Sequence, residues 1–84
     1  MAKVIIYTTS WCPYCVKAKG LLDKLGQAYE EINIEEDESK RDEMMERANG
    51  ARSVPQIFID EKHVGGCDDL HALHKKGELE PLLK

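Results

Sequence analysis

Two cysteines three residues apart stand where a short apolar run gives way to a helical pattern, and this junction constrains the fold most. The run over residues 3–8 is nearly all apolar and rich in β-branched side chains, which is typical of a strand buried on both faces. The junction itself reads W-C-P-Y-C over residues 11–15. Proline is favoured at the first position of a helix, so we expect a helix that begins at Pro13 with Cys12 as its N-cap.

That position favours a reactive sulfur. The unpaired N–H groups of a helix N-terminus converge on the N-cap, where the helix dipole is positive, and both effects stabilise a thiolate. The donors left for Cys12 are the amides of Tyr14 and Cys15. We therefore predict an exposed Cys12 thiolate of low pKa, with Cys15 one turn inward on the same face and close enough to form a disulfide. A C-x-x-C at a strand-to-helix junction is typical of a redox dithiol.

The remaining pattern alternates strands and helices. The first helix is predicted to run from Pro13 to about Leu25, with Gly26 as its stop. The other expected elements are a strand over 29–34, a helix over 35–49, a strand over 56–60, a turn at 61–62, a strand at 63–64, a helix capped by Asp68 or Asp69, and a short last segment over 79–83. The order βαβαββα predicts an α/β fold with a four-stranded mixed sheet flanked by helices, whose first two strands are parallel.

Composition limits the kind of protein. The 84 residues are 42% hydrophobic and 33% charged, so we expect one small domain over residues 1–84. The formal charge is −4, and no basic stripe with interleaved aromatics appears, so nucleic acid is not an expected partner. No signal pattern and no apolar stretch of transmembrane length is present, and three cysteines cannot all pair within one chain. We therefore expect a cytoplasmic monomer without membrane contact.

Two other interpretations compete for the C-x-x-C. Three cysteines and three histidines are enough for a zinc site, but zinc sites usually show two paired clusters. Here Cys67 stands alone, and polar positions on a helix explain His71 and His74 equally well. The second competitor, a pair of buried structural thiols, fits poorly with flanking aromatics and a proline at a helix start.

Ser53-Val54-Pro55 is a second informative cluster. A proline that opens a strand is permitted because it need not donate to the ladder, and this stretch alone predicts an ordinary trans peptide bond. A cis bond, which is inexpensive only before proline, would leave the amide and carbonyl of Val54 free to bind an extended backbone beside Cys12.

Gly65-Gly66-Cys67-Asp68-Asp69 is the third cluster, and by itself predicts a tight turn followed by a helix start. A helix N-terminus binds carboxylates, and an Asp side chain accepts from an ammonium group, so the cluster also suits the head group of an α-amino acid. Cys67 is expected to be a small buried residue rather than a catalytic one.

The three clusters in this order and spacing resemble the glutaredoxins, and most closely their small bacterial dithiol type, over essentially the whole chain. The resemblance implies a thioredoxin fold with a cis Pro55, with Cys12 as nucleophile and Cys15 as resolving thiol, the two forming the redox-active disulfide. It further implies that glutathione is the co-substrate and that no metal is required. The implied glutathione groove consists of Tyr14, Val54, Pro55, Gly66, Cys67, Asp68 and Asp69.

The resemblance also implies the reaction, which is reduction of protein disulfides and of glutathione mixed disulfides. Ribonucleotide reductase is among the candidate protein substrates. One departure is visible, because many glutaredoxins carry a lysine three residues before the nucleophile and this chain has Thr9. Two alternatives remain open at this point: a redoxin reduced by thioredoxin reductase, and a carrier of an iron–sulfur cluster with Cys12 as a ligand.

Overall fold

The computed structural model describes residues 2–83. The strands are β1 (Val4–Thr8), β2 (Glu30–Asn33), β3 (Gln56–Ile59) and β4 (Lys62–Gly65), and the helices are α1 (Pro13–Lys24), α2 (Glu38–Arg47), α3 (Cys67–Lys75) and α4 (Leu79–Leu83).

The four strands form one mixed sheet in the order β2-β1-β3-β4. β1 pairs in parallel with β2 and antiparallel with β3, and β3 pairs antiparallel with β4. All five residues of β1 are buried, as expected for an inner strand covered on both faces. The predicted α/β fold, the mixed four-stranded sheet and the parallel first unit are thereby confirmed.

The sheet separates two apolar clusters. The larger one includes Ile6, Ile57 and Ile59 together with residues of α1, α3 and α4. The smaller one includes Ile5, Tyr7 and Phe58 of the sheet. It also contains Met44 of α2 and Ala48, the C-cap of that helix. Because successive residues of a strand point to opposite faces, β1 and β3 contribute to both clusters and are fixed from both sides.

Four local details differ from the predictions. The tight turn lies at Asp60 and Glu61, both at positive φ, instead of one residue later, so β4 is longer than expected. The helix α2 begins later than predicted because Asp37 caps it by accepting the Ser39 amide. The N-cap of α3 is Gly66 rather than either aspartate, and the last apolar segment is a short helix of its own, α4.

A polar network ties the sheet to α2. The hydroxyl of Tyr7, which is fully buried, donates to Glu43 Oε2 at 2.7 Å and accepts from Arg47 at 3.2 Å. Burial, followed by the hydrogen bond to Glu43, raises the pKa of Tyr7 to about 12, although Arg47 acts in the opposite direction.

This shift predicts a loss of stability in alkali. An unfolded tyrosine ionises near pH 10, whereas folded Tyr7 keeps its proton to about pH 12. The folded state therefore loses stability as the pH rises through this window, by about 1.4 kcal/mol at pH 11. Tyr7→Phe should lower the free energy of unfolding at pH 8 by about 1 kcal/mol and remove this alkaline loss. Urea unfolding of both oxidised proteins at pH 8 and pH 11 measures the difference, and equal alkaline losses would contradict the assignment.

Candidate active site at the start of the first helix

Cys12 occupies the N-cap of α1 with extended backbone angles, φ −149° and ψ 98°, and Pro13 follows at the first helical position. The amide of Cys15 donates to Cys12 Sγ at 3.1 Å. This is one of the two donors expected from the sequence, and it places a helix-terminal N–H against the sulfur.

Cys12 and Cys15 form a disulfide, with their Cα atoms 5.1 Å apart. Cys15 is buried, whereas Cys12 is half-buried and not as exposed as predicted. Part of the reason is a loop from the other half of the chain, since the carbonyl oxygen of Val54 lies 3.9 Å from Cys12 Sγ. The bond to Cys15 covers the sulfur on its inner side.

The rest of the junction faces solvent. Trp11, Tyr14 and Val16 are the exposed large hydrophobic residues of the structure, with 88%, 59% and 64% of their surface accessible. All three lie within four residues of Cys12 in the sequence, so the segment that carries the dithiol exposes apolar surface to other molecules.

The Val54–Pro55 peptide bond is cis. The trans bond predicted from this stretch alone is therefore wrong, and the cis bond implied by the resemblance is confirmed. Within residues 2–83, neither Ser53 nor Val54 takes part in a backbone–backbone hydrogen bond. The peptide groups of Val54 are consequently available beside Cys12.

The third cluster forms the start of α3. The side chain of Asp69 accepts the Gly66 amide at 3.0 Å, an arrangement that closes the first turn of the helix. The amides of Cys67 and Asp68, in the first turn, have no acceptor within the helix because of their position. Asp68 is exposed, so this helix start offers both free N–H donors and a carboxylate.

Cys67 differs from Cys12 in its surroundings. It is buried, and burial together with the charge of Asp68 raises the pKa of its thiol, while Lys17 partly opposes this. A protonated thiol is a poor nucleophile. The environment thus agrees with the expectation that Cys67 is a packing residue.

These parts line one groove of about 340 Å³. All seven residues that the resemblance implied for the groove contribute to its wall, although they come from α1, the loop before β3 and the start of α3. The groove has five further lining residues that the resemblance did not imply: Ala51, Ser53, Gln56, His63 and Gly65. Gln56 and His63 are polar residues in strands, and strand alternation alone does not distinguish them from ordinary solvent-facing positions.

Thr9 lies where many glutaredoxins have lysine, and its hydroxyl donates to the Trp11 carbonyl at 3.4 Å. Threonine brings no positive charge to Cys12, so the N-terminus of α1 is the source of thiolate stabilisation that the geometry provides. Among residues 2–83, no group of three or more His, Cys, Asp or Glu side chains is arranged to hold a metal ion. No helix in this part of the chain is long and apolar enough to cross a membrane.

Comparison with known proteins identifies the family. The family model for glutaredoxin matches residues 4–64, which include the dithiol and the cis proline. The chain belongs to the glutaredoxin family. Glutaredoxin 3 of Escherichia coli K12 is 54% identical over 84 residues, which cover the whole of both chains.

Solved glutaredoxins share the fold. The solution structure of glutaredoxin from Brucella melitensis, 51% identical, superimposes with a TM-score of 0.87 over 100% of this chain and 90% of its own. The buckwheat glutaredoxin–glutathione complex, 32% identical, gives the same TM-score over 95% of this chain and 74% of its own. The thioredoxin-type fold is thus confirmed, and the Cys12–Cys15 disulfide is consistent with the redox active site of a glutaredoxin.

Proposed function

We propose that this protein is a glutathione-dependent thiol–disulfide oxidoreductase that reduces glutathione mixed disulfides and protein disulfides through Cys12 and Cys15. The observation that carries the proposal is the groove, which runs from Tyr14 of α1 past the free peptide of Val54 to the start of α3. The carbonyl oxygen of Val54 brings this groove to 3.9 Å from Cys12 Sγ. The complex of the buckwheat relative with glutathione supports the same ligand class.

The groove matches the chemistry of glutathione. An extended backbone of the tripeptide can pair with the N–H and C=O of Val54, which the sheet leaves unused. The α-amino acid head group carries one negative and one positive charge. The free amides at the start of α3 suit its carboxylate, and the exposed carboxylate of Asp68 suits its ammonium. Tyr14 borders the groove from the side of the dithiol.

On a glutathione mixed disulfide, the Cys12 thiolate attacks the glutathione sulfur. The Cys12–glutathione bond forms as the original S–S bond breaks, and the released protein thiolate takes up a proton. A second glutathione thiolate then attacks the glutathione sulfur on Cys12, which yields glutathione disulfide and frees the Cys12 thiolate. The net reaction is a thiol–disulfide exchange that consumes one added glutathione, and the glutathione moiety of the substrate leaves as part of glutathione disulfide.

On a protein disulfide, the Cys12 thiolate attacks one substrate sulfur and the other leaves as a thiol. Cys15 then attacks Cys12 Sγ, and the second substrate sulfur leaves. The product is the Cys12–Cys15 disulfide, whose geometry the fold already accommodates. Two glutathione molecules return it to the dithiol.

The proposal extends to the setting of the protein. We infer one glutaredoxin domain over residues 1–84 that works as a monomer in the cytoplasm, with glutathionylated or disulfide-bonded proteins as its partners. Cytosolic glutathione keeps thiols reduced, which suits a dithiol that must be regenerated.

A comparison of electron donors tests the proposal. The reduced protein should turn over a glutathionylated peptide when supplied with glutathione and glutathione reductase, because the groove binds the glutathione moiety. With thioredoxin reductase and NADPH alone, turnover should be at least about tenfold slower. Cys15 can displace glutathione from Cys12, but the resulting Cys12–Cys15 disulfide then lacks the glutathione that returns it to the dithiol. Oxidation of NADPH, followed by absorbance, measures both. Faster turnover with thioredoxin reductase would support the alternative redoxin, and a coloured, cluster-bearing protein after anaerobic purification would support the carrier.

A further inference from the structure

The wall of the groove contains a chain of side-chain hydrogen bonds that runs from β4 to the loop before β3. Gln56, the first residue of β3, is buried and points its amide nitrogen at Ser53, with 2.9 Å to the carbonyl oxygen and 3.3 Å to Oγ. The amide oxygen of Gln56 lies 2.7 Å from His63 Nε2. All three residues line the groove.

The chemistry of the partners fixes the direction of this chain. A backbone carbonyl only accepts, so the group of Gln56 that faces Ser53 must be the amide nitrogen. The amide oxygen therefore faces His63, and since it also only accepts, His63 Nε2 must carry a proton. The neutral imidazole is thus held as the Nε2–H tautomer.

The imidazole ring is held in place from a second direction. It stacks on Phe58, its partner across the β3–β4 ladder, with ring centroids 4.9 Å apart and planes inclined by 28°. Phe58 is buried and packs edge-on against Tyr7 at 5.7 Å. The stacking on buried Phe58 therefore fixes the orientation of the Nε2 donor, although His63 itself is exposed.

At its Ser53 end, this series of hydrogen bonds reaches a segment that makes no backbone hydrogen bond with the sheet. Ser53 and Val54 make no backbone–backbone hydrogen bond within the described residues, and the contact with Gln56 holds the Ser53 carbonyl. That carbonyl belongs to the peptide unit that also contains the Val54 amide. Its orientation consequently sets the direction of the Val54 N–H beside Cys12.

We propose that His63 is a positioning residue: through Gln56 and Ser53 it orients the Val54 peptide for pairing with the glutathione backbone. The inference rests on the proposed function, because glutathione is the ligand that the oriented peptide serves. His63 contacts neither Cys12 nor the reacting sulfurs, so its effect should be confined to recognition in the groove.

Two substitutions separate the hydrogen bond from the ring. His63→Phe keeps a ring that can stack on Phe58 but removes the donor, whereas His63→Gln keeps an N–H donor near the position of Nε2. His71→Phe, on the exposed face of α3 and outside the groove, is the matched control. His63→Phe should slow reduction of a glutathionylated peptide about fivefold, which is the effect of losing one net hydrogen bond. His63→Gln should restore most of the rate.

Alkylation of Cys12 by iodoacetamide provides the second measurement. It needs the thiolate but not the groove, so its rate should be the same in all four proteins. Equal losses of both rates in His63→Phe would overturn the proposal, because they would show an effect on the nucleophile. An unchanged reduction rate in His63→Phe, or a failure of His63→Gln to restore it, would overturn it as well.

NMR distinguishes a failure of this proposal from a failure of the proposed function. Nitrogen-15 spectra in alkali, where imidazoles are neutral, should show the proton of His63 on Nε2. The Val54 amide resonance should shift in His63→Phe and return toward its wild-type position in His63→Gln. If the wild-type protein does not reduce glutathione mixed disulfides, the proposed function and the named ligand both fail, and the spectra still decide whether His63 orients Val54. A proton on Nδ1 overturns the proposal regardless of activity.

Discussion

Cys12→Ser should reduce turnover of a glutathionylated peptide by a factor on the order of a thousand or more, whereas Cys15→Ser should keep it within about threefold of wild type. A serine hydroxyl at position 12 does not ionise at neutral pH and cannot form the glutathione adduct. Cys15 contributes to Cys12 through its backbone amide, which donates to Cys12 Sγ at 3.1 Å and is retained in the serine variant. Thiolate stabilisation should therefore survive the loss of the second sulfur.

With a protein disulfide as the substrate, Cys15→Ser should lose most of its activity, in contrast to its behaviour on the glutathionylated peptide. Without the second thiol, the mixed disulfide between Cys12 and the substrate cannot be resolved internally, so this variant should accumulate the covalent complex, visible by nonreducing electrophoresis. Parallel assays with glutathione and glutathione reductase on both substrates measure the split. Cys67→Ser is the matched control, because its buried thiol lies in the groove wall but forms no disulfide. Equal loss on both substrates in Cys15→Ser would contradict separate roles for the two sulfurs.

Gly65→Ala should lower the free energy of unfolding by about 2–4 kcal/mol. Gly65 has φ +121°, which side chains rarely adopt, and a Cβ there would meet the carboxylate of Asp69, with 2.8 Å to its Cγ. The change combines backbone strain of about 1–3 kcal/mol with displacement of a helix cap of about 1 kcal/mol. For a domain of this size, the melting temperature should fall by at least about 8 °C.

Gly20→Ala supplies the matched control. Gly20 lies within α1, and a Cβ there would meet no atom within 4 Å beyond its chain neighbours and the backbone of its own helix. This variant should therefore raise the free energy of unfolding by about 1 kcal/mol. Asp69→Ala removes the carboxylate with which the added Cβ of Gly65→Ala would clash. In the double variant the two losses should therefore be less than additive. Thermal unfolding of the wild type and the four variants measures these differences, and strict additivity would show that the Asp69 contact is not the source of the cost.

The sequence predicted well the parts of the structure that depend on neighbouring residues. Cys12, Pro13 and Cys15 specify a helix start by local rules of capping and proline placement, and α1 begins at Pro13 as predicted. The apolar run of β1 identified the inner strand, since no polar alternation interrupts it. The local sequence pattern did not predict which residues form the groove, and only the family resemblance implied them.

The parts that were missed depend on contacts between distant segments or on competing local solutions. Gly66 rather than an aspartate caps α3, because Asp69 can reach back to the Gly66 amide from the third helical position. The hydrogen bonds that link Ser53, Gln56 and His63 require that β3 and β4 be adjacent. The sequences of the strands alone do not predict this pairing. Likewise, the half-buried state of Cys12 depends on Val54, which lies far away in the sequence.

The sheet order links the two parts of the site during synthesis. The dithiol and its activating helix terminus belong to the β1–α1–β2 unit, which is translated first. The proposed glutathione groove depends on β3, which inserts beside β1, and on α3, which follows β4. Since chains emerge from the ribosome N-terminus first and a domain folds as a unit, both cysteines are synthesised early but wait for β3 to complete the sheet around them. The helix terminus that faces Cys12 and the groove beside it are therefore expected to form together.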